Sequence, residues 1–229
     1  MKKEIIVSKD GSQTLSIPEM DETYHSINGA LTESQHVFID MGIDKLPKGQ
    51  KEIKIFEVGF GTGLNAMTTI DWLKTNPSKQ IIYHTIEAFP VDKGIIEKLN
   101  YADLFTFKDS VELYNKIHEI KWNQEISLSS QFKIAKFHNK LEDFKLESNY
   151  YDCIYFDAFA PNKQGEMWEM NILRKCHEAL AIHGRFVTYC AKGQLKRDLK
   201  TLGFEVVMVP GPPGKREMTT AIKKQPYKL

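Results

Sequence analysis

Nine residues, Glu57-Val58-Gly59-Phe60-Gly61-Thr62-Gly63-Leu64-Asn65, constrain the fold of this chain more than any other stretch. An apolar run at 53–58 precedes the glycines, and a helical pattern at 64–75 follows them, stopped by Pro77. Alternating glycines permit left-handed backbone angles and let a ligand approach the main chain. At a strand–loop–helix join of this kind, ligands bind beyond the carboxyl end of the strand. The spacing is Gly-x-Gly-x-Gly, not the dinucleotide Gly-x-Gly-x-x-Gly, and no Lys-Ser/Thr follows, which excludes a nucleotide-triphosphate loop.

The pattern continues with strands at 80–86, 132–137, 151–156 and 185–189. Helices are expected at 91–99, through the aromatic stretch to Trp122, at 166–182 with a C-cap at His183-Gly184, and at 195–202. Two last strands, 204–209 and 217–222, are joined by Pro210-Gly211-Pro212-Pro213-Gly214 and must be antiparallel neighbours. Strands alternating with helices give an α/β fold: a doubly wound, seven-stranded, mostly parallel sheet covered on both faces. Residues 1–50 are irregular and read as a β-rich N-terminal extension, with strands at 14–17 and 36–39, ahead of a main domain at 51–229.

No apolar run approaches the roughly 18 residues of a membrane span, and the first ten residues lack a signal peptide's features, so the expected location is cytoplasmic. Cys153, Cys176 and Cys190 are too scattered for a disulfide framework or zinc site, and no metal is expected. Net charge is +1, yet residues 185–229 carry ten Lys or Arg against three acids. Such asymmetry points to a polyanion or, equally, to a solvated basic tail.

Around the glycines the acids are informative. Glu57 would repel a pyrophosphate but suits the cationic methionine end of S-adenosylmethionine. Glu87 ends the second strand, where an acid accepts hydrogen bonds from ribose hydroxyls. Asn139 follows the third strand, placed to meet an adenine edge or to cap a helix. Asp157 closes the central strand in Asp157-Ala158-Phe159-Ala160-Pro161, either facing cofactor and substrate or capping a turn. Phe159 offers a flat surface for a base, and Pro161 stiffens the turn. No cysteine follows, which disfavours covalent attack on a pyrimidine and suits methylation of an amine. Cys190 reads as a small buried hydrophobe. Lys192, Lys196 and Lys200 share one helix face that reads as solvated, whereas Lys215 and Arg216 sit in a loop suited to gripping phosphates.

These residues together resemble the MnmC methyltransferase domain. The resemblance is carried by 57–65, by Glu87-Ala88-Phe89-Pro90, by 157–161 with Met167-Trp168, by Lys215-Arg216-Glu217-Met218, and by Tyr24-His25-Ser26 through Glu33. It implies methyl transfer from S-adenosylmethionine to the aminomethyl group of 5-aminomethyl-(2-thio)uridine at the wobble position of tRNA. The expected cofactor contacts are Glu57, Gly59, Phe60, Gly61, Gly63, Asn65, Glu87, Ala88, Asn139 and Asp157. Asp157 is also the expected catalytic residue, with Phe159, Pro161, Trp168, Lys215 and Arg216 on the substrate side. The chain looks like the stand-alone form, without the FAD-dependent half of bifunctional members, so a separate enzyme is expected to supply the aminomethyl group. Two rivals are an aminopropyltransferase of polyamine synthesis and a non-catalytic cofactor-binding partner protein.

Overall fold

The computed structural model describes residues 1–225; residues 226–229, the end of the basic stretch, lie outside the described residues. The chain begins with a small antiparallel sheet of β1 (Glu4–Val7), β2 (Gln13–Ile17) and β3 (Glu22–Thr23). Next comes α1 (Ala30–Ser34), which widens into a π-helical turn at Gln35–Asp40. The strand expected at 36–39 is therefore helical. Val37, Phe38 and Ile39 are all buried, and a three-residue apolar run carries no period that separates strand from helix.

The main sheet follows in alternation: β4 (Glu52–Val58), α2 (Leu64–Thr75), β5 (Gln80–Glu87), α3 (Lys93–Ile96), α4 (Ser110–Glu119), β6 (Gln124–Ser127), β7 (Phe132–His138) and β8 (Tyr151–Phe156). The chain then runs through α5 (Met170–Ala179), β9 (Leu180–Thr188), α6 (Gly193–Thr201), β10 (Phe204–Pro210) and β11 (Glu217–Lys223). All seven expected strands are present. An eighth, β6, adds a short antiparallel edge beside β7. The order is β10-β11-β9-β8-β4-β5-β7-β6, with β7, β5, β4, β8 and β9 parallel and β11 reversed. Strand order switches between β4 and β8, so the crevice for a ligand opens above that pair.

The helix expected to reach residue 182 ends at Ala179. His183, with φ of 68°, and Gly184 lie inside β9, where the pairing slips from Tyr151↔Leu180 to Cys153↔Arg185. A left-handed residue followed by glycine serves a β-irregularity as readily as a helix cap.

Period-two alternation buries both faces of the sheet. Ile55, Tyr83, Ile134, Cys153 and Tyr155 pack on one side with Leu64 and Met67 of α2. Phe56, Ile86, Ile154, Phe156 and Phe186 pack on the other with Ile172 and Leu173 of α5 and Leu199 of α6. Leu15, Ala30, Val37, Phe38 and Ile39 of the N-terminal segment join the first of these cores, and the Phe38 ring lies 4.9 Å from that of Tyr155. Leu15, Val37, Phe38 and Ile39 each contribute about 1.5–3 kcal/mol, so the segment is held to the sheet by its apolar residues.

Candidate active site

β4 turns into α2 through Gly59, Gly61 and Gly63, with φ of 91°, 50° and 76°. A Cβ on Gly59 would stand 2.8 Å from the Asp157 carbonyl oxygen, so the loop lies directly against the end of β8. Main chain at Gly59 and Gly61 is thereby exposed to a cavity of about 230 Å³. Gly63 faces away: its missing side chain makes room for His118, 2.9 Å from where a Cβ would sit.

Of the expected residues, Gly59, Phe60, Gly61, Glu87, Ala88, Asn139, Asp157 and Phe159 line this cavity. Glu87 accepts hydrogen bonds from the Gly61 N–H at 3.0 Å and the Phe89 N–H at 2.8 Å. Its carboxylate is thus fixed, with lone pairs left for a diol. Asn139 caps no helix; its Oδ1 accepts from the Lys140 N–H at 2.8 Å.

Glu57 lies beneath the loop rather than in the cavity wall. It is fully buried, and neither carboxylate oxygen has a hydrogen-bond partner within range; Thr85, Asn65 and Tyr83 face it too loosely. Burial pushes its pKa up to about 8, and the charge of Asp157 adds to the rise. Asp157 is 10% exposed, and its pKa is raised to about 7 by burial and by the Glu33 carboxylate. The Asn65 hydrogen bond and the Lys215 charge oppose that rise.

Asn65, expected on the cofactor, instead holds Asp157. Its Nδ2 donates to Asp157 Oδ2 at 2.8 Å, and its Oδ1 accepts from the Ser34 hydroxyl at 2.7 Å. Since Oδ1 is committed to Ser34, the N–H donors must face Asp157. The N-terminal segment also supplies His25, buried, with Nδ1 4.0 Å from Asp157 Oδ2. Burial lowers its pKa to about 4, so the imidazole is neutral.

Substrate-side expectations divide. Phe159 stands at the cavity, edge-on to Tyr24 at 5.3 Å. Trp168 does not reach it: the ring packs on Phe156 at 5.0 Å and Nε1 donates to the Phe159 carbonyl at 2.8 Å, bracing the loop from below. Lys215 is already engaged, 2.7 Å from the buried Glu33 carboxylate and 3.9 Å above the Tyr189 ring. Arg216 is exposed. Lys196, expected in solvent, is largely covered and pairs with Glu217 at 2.8 Å. Tyr24, His25 and Glu33 carry no local pattern that marks a site; only the resemblance at 24–33 pointed to them.

Four carboxylates, of Glu87, Glu142, Asp157 and Glu166, line the cavity against one lysine, Lys140. A cationic nucleoside suits that balance, and an anionic dinucleotide does not. The chain belongs to the S-adenosyl-L-methionine-dependent methyltransferase family, which residues 102–224 match.

Within that family the similarity runs to MnmC. The chain is 29% identical over 232 residues to the tRNA 5-methylaminomethyl-2-thiouridine biosynthesis bifunctional protein MnmC of Cupriavidus metallidurans, covering 95% of this chain and 33% of the relative. It is 31% identical over 205 residues to the protein of the same name from Campylobacter hominis, covering 86% and 29%. The chain thus spans about a third of the length of the curated relatives it matches. The crystal structure of MnmC2 from Aquifex aeolicus superposes with a TM-score of 0.79 at 23% identity, over 100% of this chain and 72% of that one, which establishes the shared fold.

Proposed function

We propose that this chain transfers a methyl group from S-adenosylmethionine to the primary amine of 5-aminomethyl-(2-thio)uridine at the wobble position of tRNA. The observation that carries this reading is Asp157: an acid almost out of water, at the switch of strand order, held by Asn65 and with a pKa near neutrality. The names of the MnmC relatives supply the substrate.

The residues fit the cofactor. The Gly59–Gly61 main chain and the carboxylates facing the cavity suit its cationic methionine end; Glu87 is set to accept from the ribose diol, and Ile86, Ala88 and Leu141 offer apolar surface for adenine. When bound, the cofactor supplies an electrophilic methyl group. An alkyl ammonium has a pKa near 10 and holds no free lone pair until it loses a proton. Asp157, ionised, takes that proton from the nitrogen and becomes the neutral acid. A base with pKa near the working pH does this best. His25, Tyr24 and Phe159 wall the approach and keep the amine out of bulk water.

In this reading residues 51–229 are the methyltransferase domain and 1–50 an appended segment that completes its site. A separate enzyme supplies the aminomethyl group, and the protein works in the cytoplasm. Among the described residues no helix is long and apolar enough to cross a membrane, and no His, Cys, Asp and Glu cluster is arranged to hold a metal ion. Methyl incorporation into wobble-aminomethylated tRNA, but not into the same tRNA lacking that group, is the expected result. Equal incorporation into both, or incorporation into small diamines and neither tRNA, overturns it.

A further inference from the structure

A second cavity, of about 350 Å³, opens on the other side of the loop that follows β8. Ala158 and Phe159 face the first cavity, and Ala160 and Pro161 face the second, so one four-residue stretch divides them. The floor of the second is apolar, made by Pro161, Tyr189 and Cys190, and its rim carries Lys192, Lys215 and Arg216. The Tyr189 hydroxyl donates to the Ala158 carbonyl at 2.9 Å, tying this floor to the strand end that bears Asp157.

The charges on the rim do not cancel. Lys215 is matched by Glu33, and Glu217, the acid of this wall, is matched by Lys196. Lys192 and Arg216 are exposed, and among the described residues no acid lies within ion-pair distance of either. Two unopposed cations thus stand above an apolar floor containing an aromatic ring. A phosphodiester paired with a nucleobase has that chemistry: the anion meets the cations, and the base face meets the floor.

We propose that this second cavity holds the nucleotide adjacent to the one methylated, its phosphate between Lys192 and Arg216 and its base against Pro161, beside the Tyr189 ring that Lys215 covers. This rests on the reading of RNA as the substrate. It assigns the phosphate grip to Lys192 and Arg216 and leaves Lys215 with Glu33.

The test uses the full chain and a fluorescently labelled RNA anticodon stem-loop, followed by anisotropy over a salt series. Each cation that meets a phosphate releases about one counterion, so Lys192→Gln and Arg216→Gln should each flatten the plot of log affinity against log salt by about 0.7–0.9, and the double variant by nearly twice that. Lys200→Gln, an exposed charge on α6 outside the cavity, should change the slope much less. Wild-type slopes in the Lys192 and Arg216 variants, or an equal loss in Lys200→Gln, would overturn the subsite. RNA binding through these two residues without methylation of any aminomethyluridine would leave the subsite standing and remove the proposed reaction. Methylation with unchanged slopes would do the reverse.

Discussion

Glu57→Gln tests what a fully buried, unpartnered carboxylate does to this protein. Its pKa rises from 4.5 to about 8 on folding because water is removed from the charged form. A folded-state value above the unfolded one gives stability that is complete at low pH and lost as pH rises through the window from 4.5 to about 8. The loss accumulates at about 1.4 kcal/mol per pH unit, reaching about 3 kcal/mol at pH 7 relative to pH 4. Glutamine has the shape of the neutral acid and no charge. Glu57→Gln should therefore match the wild type near pH 4.5 and exceed it by about 3 kcal/mol near pH 7, or roughly 6–12 °C in Tm. Urea unfolding of the cofactor-free protein from pH 4.5 to 8 measures the difference directly. Equal pH slopes for the two proteins would refute the assignment of Glu57 as the buried titrating acid.

Asp157→Asn should lower the single-turnover rate by roughly 10²-fold or more while cofactor affinity by calorimetry stays within a few-fold. In the wild type kcat/KM should climb with pH to a midpoint at or below about 7, because the ionised form is the one that accepts a proton. A rate that falls as pH rises, or an unchanged midpoint in Asp157→Asn, would contradict this. Gly61→Val forces a β-branched residue to a φ of 50° and sets a Cβ 3.2 Å from the Tyr24 ring. Calorimetry should show cofactor binding severely weakened or lost; unimpaired binding would mean that the loop does not approach the ligand.

Much of the sheet is legible in the sequence because its strands are buried on both faces and punctuated by glycine and proline. The loop at 59–63, Glu87 and Asp157 are legible for a topological reason: each ends a parallel strand, and strand ends surround the ligand crevice. What sequence reasoning misses is what arrives from afar. His25, Glu33 and Ser34 lie in the N-terminal segment, and their meeting with Asp157 and Asn65 depends on how that segment packs. Asn65 follows the glycines and so reads as a cofactor contact, although its amide points to Asp157. Trp168 sits in the right motif, but its indole N–H is spent on bracing a backbone carbonyl. Lys215 looks like a free cation because its partner, Glu33, is 182 residues away. Strand β6 leaves no readable pattern because only four residues, one of them apolar, pair at the sheet's edge.

The hydrogen-bond chain from Ser34 through Asn65 to Asp157 also makes the order of assembly matter. The sheet, α2 and the loop after β8 together contain Asn65 and Asp157, but not the hydroxyl that fixes the direction of the amide. Until α1 settles, the amide is free to turn its oxygen toward the acid, and like partial charges then face each other. An opening of the N-terminal segment that leaves the sheet intact would therefore cost competence for chemistry before it costs the fold.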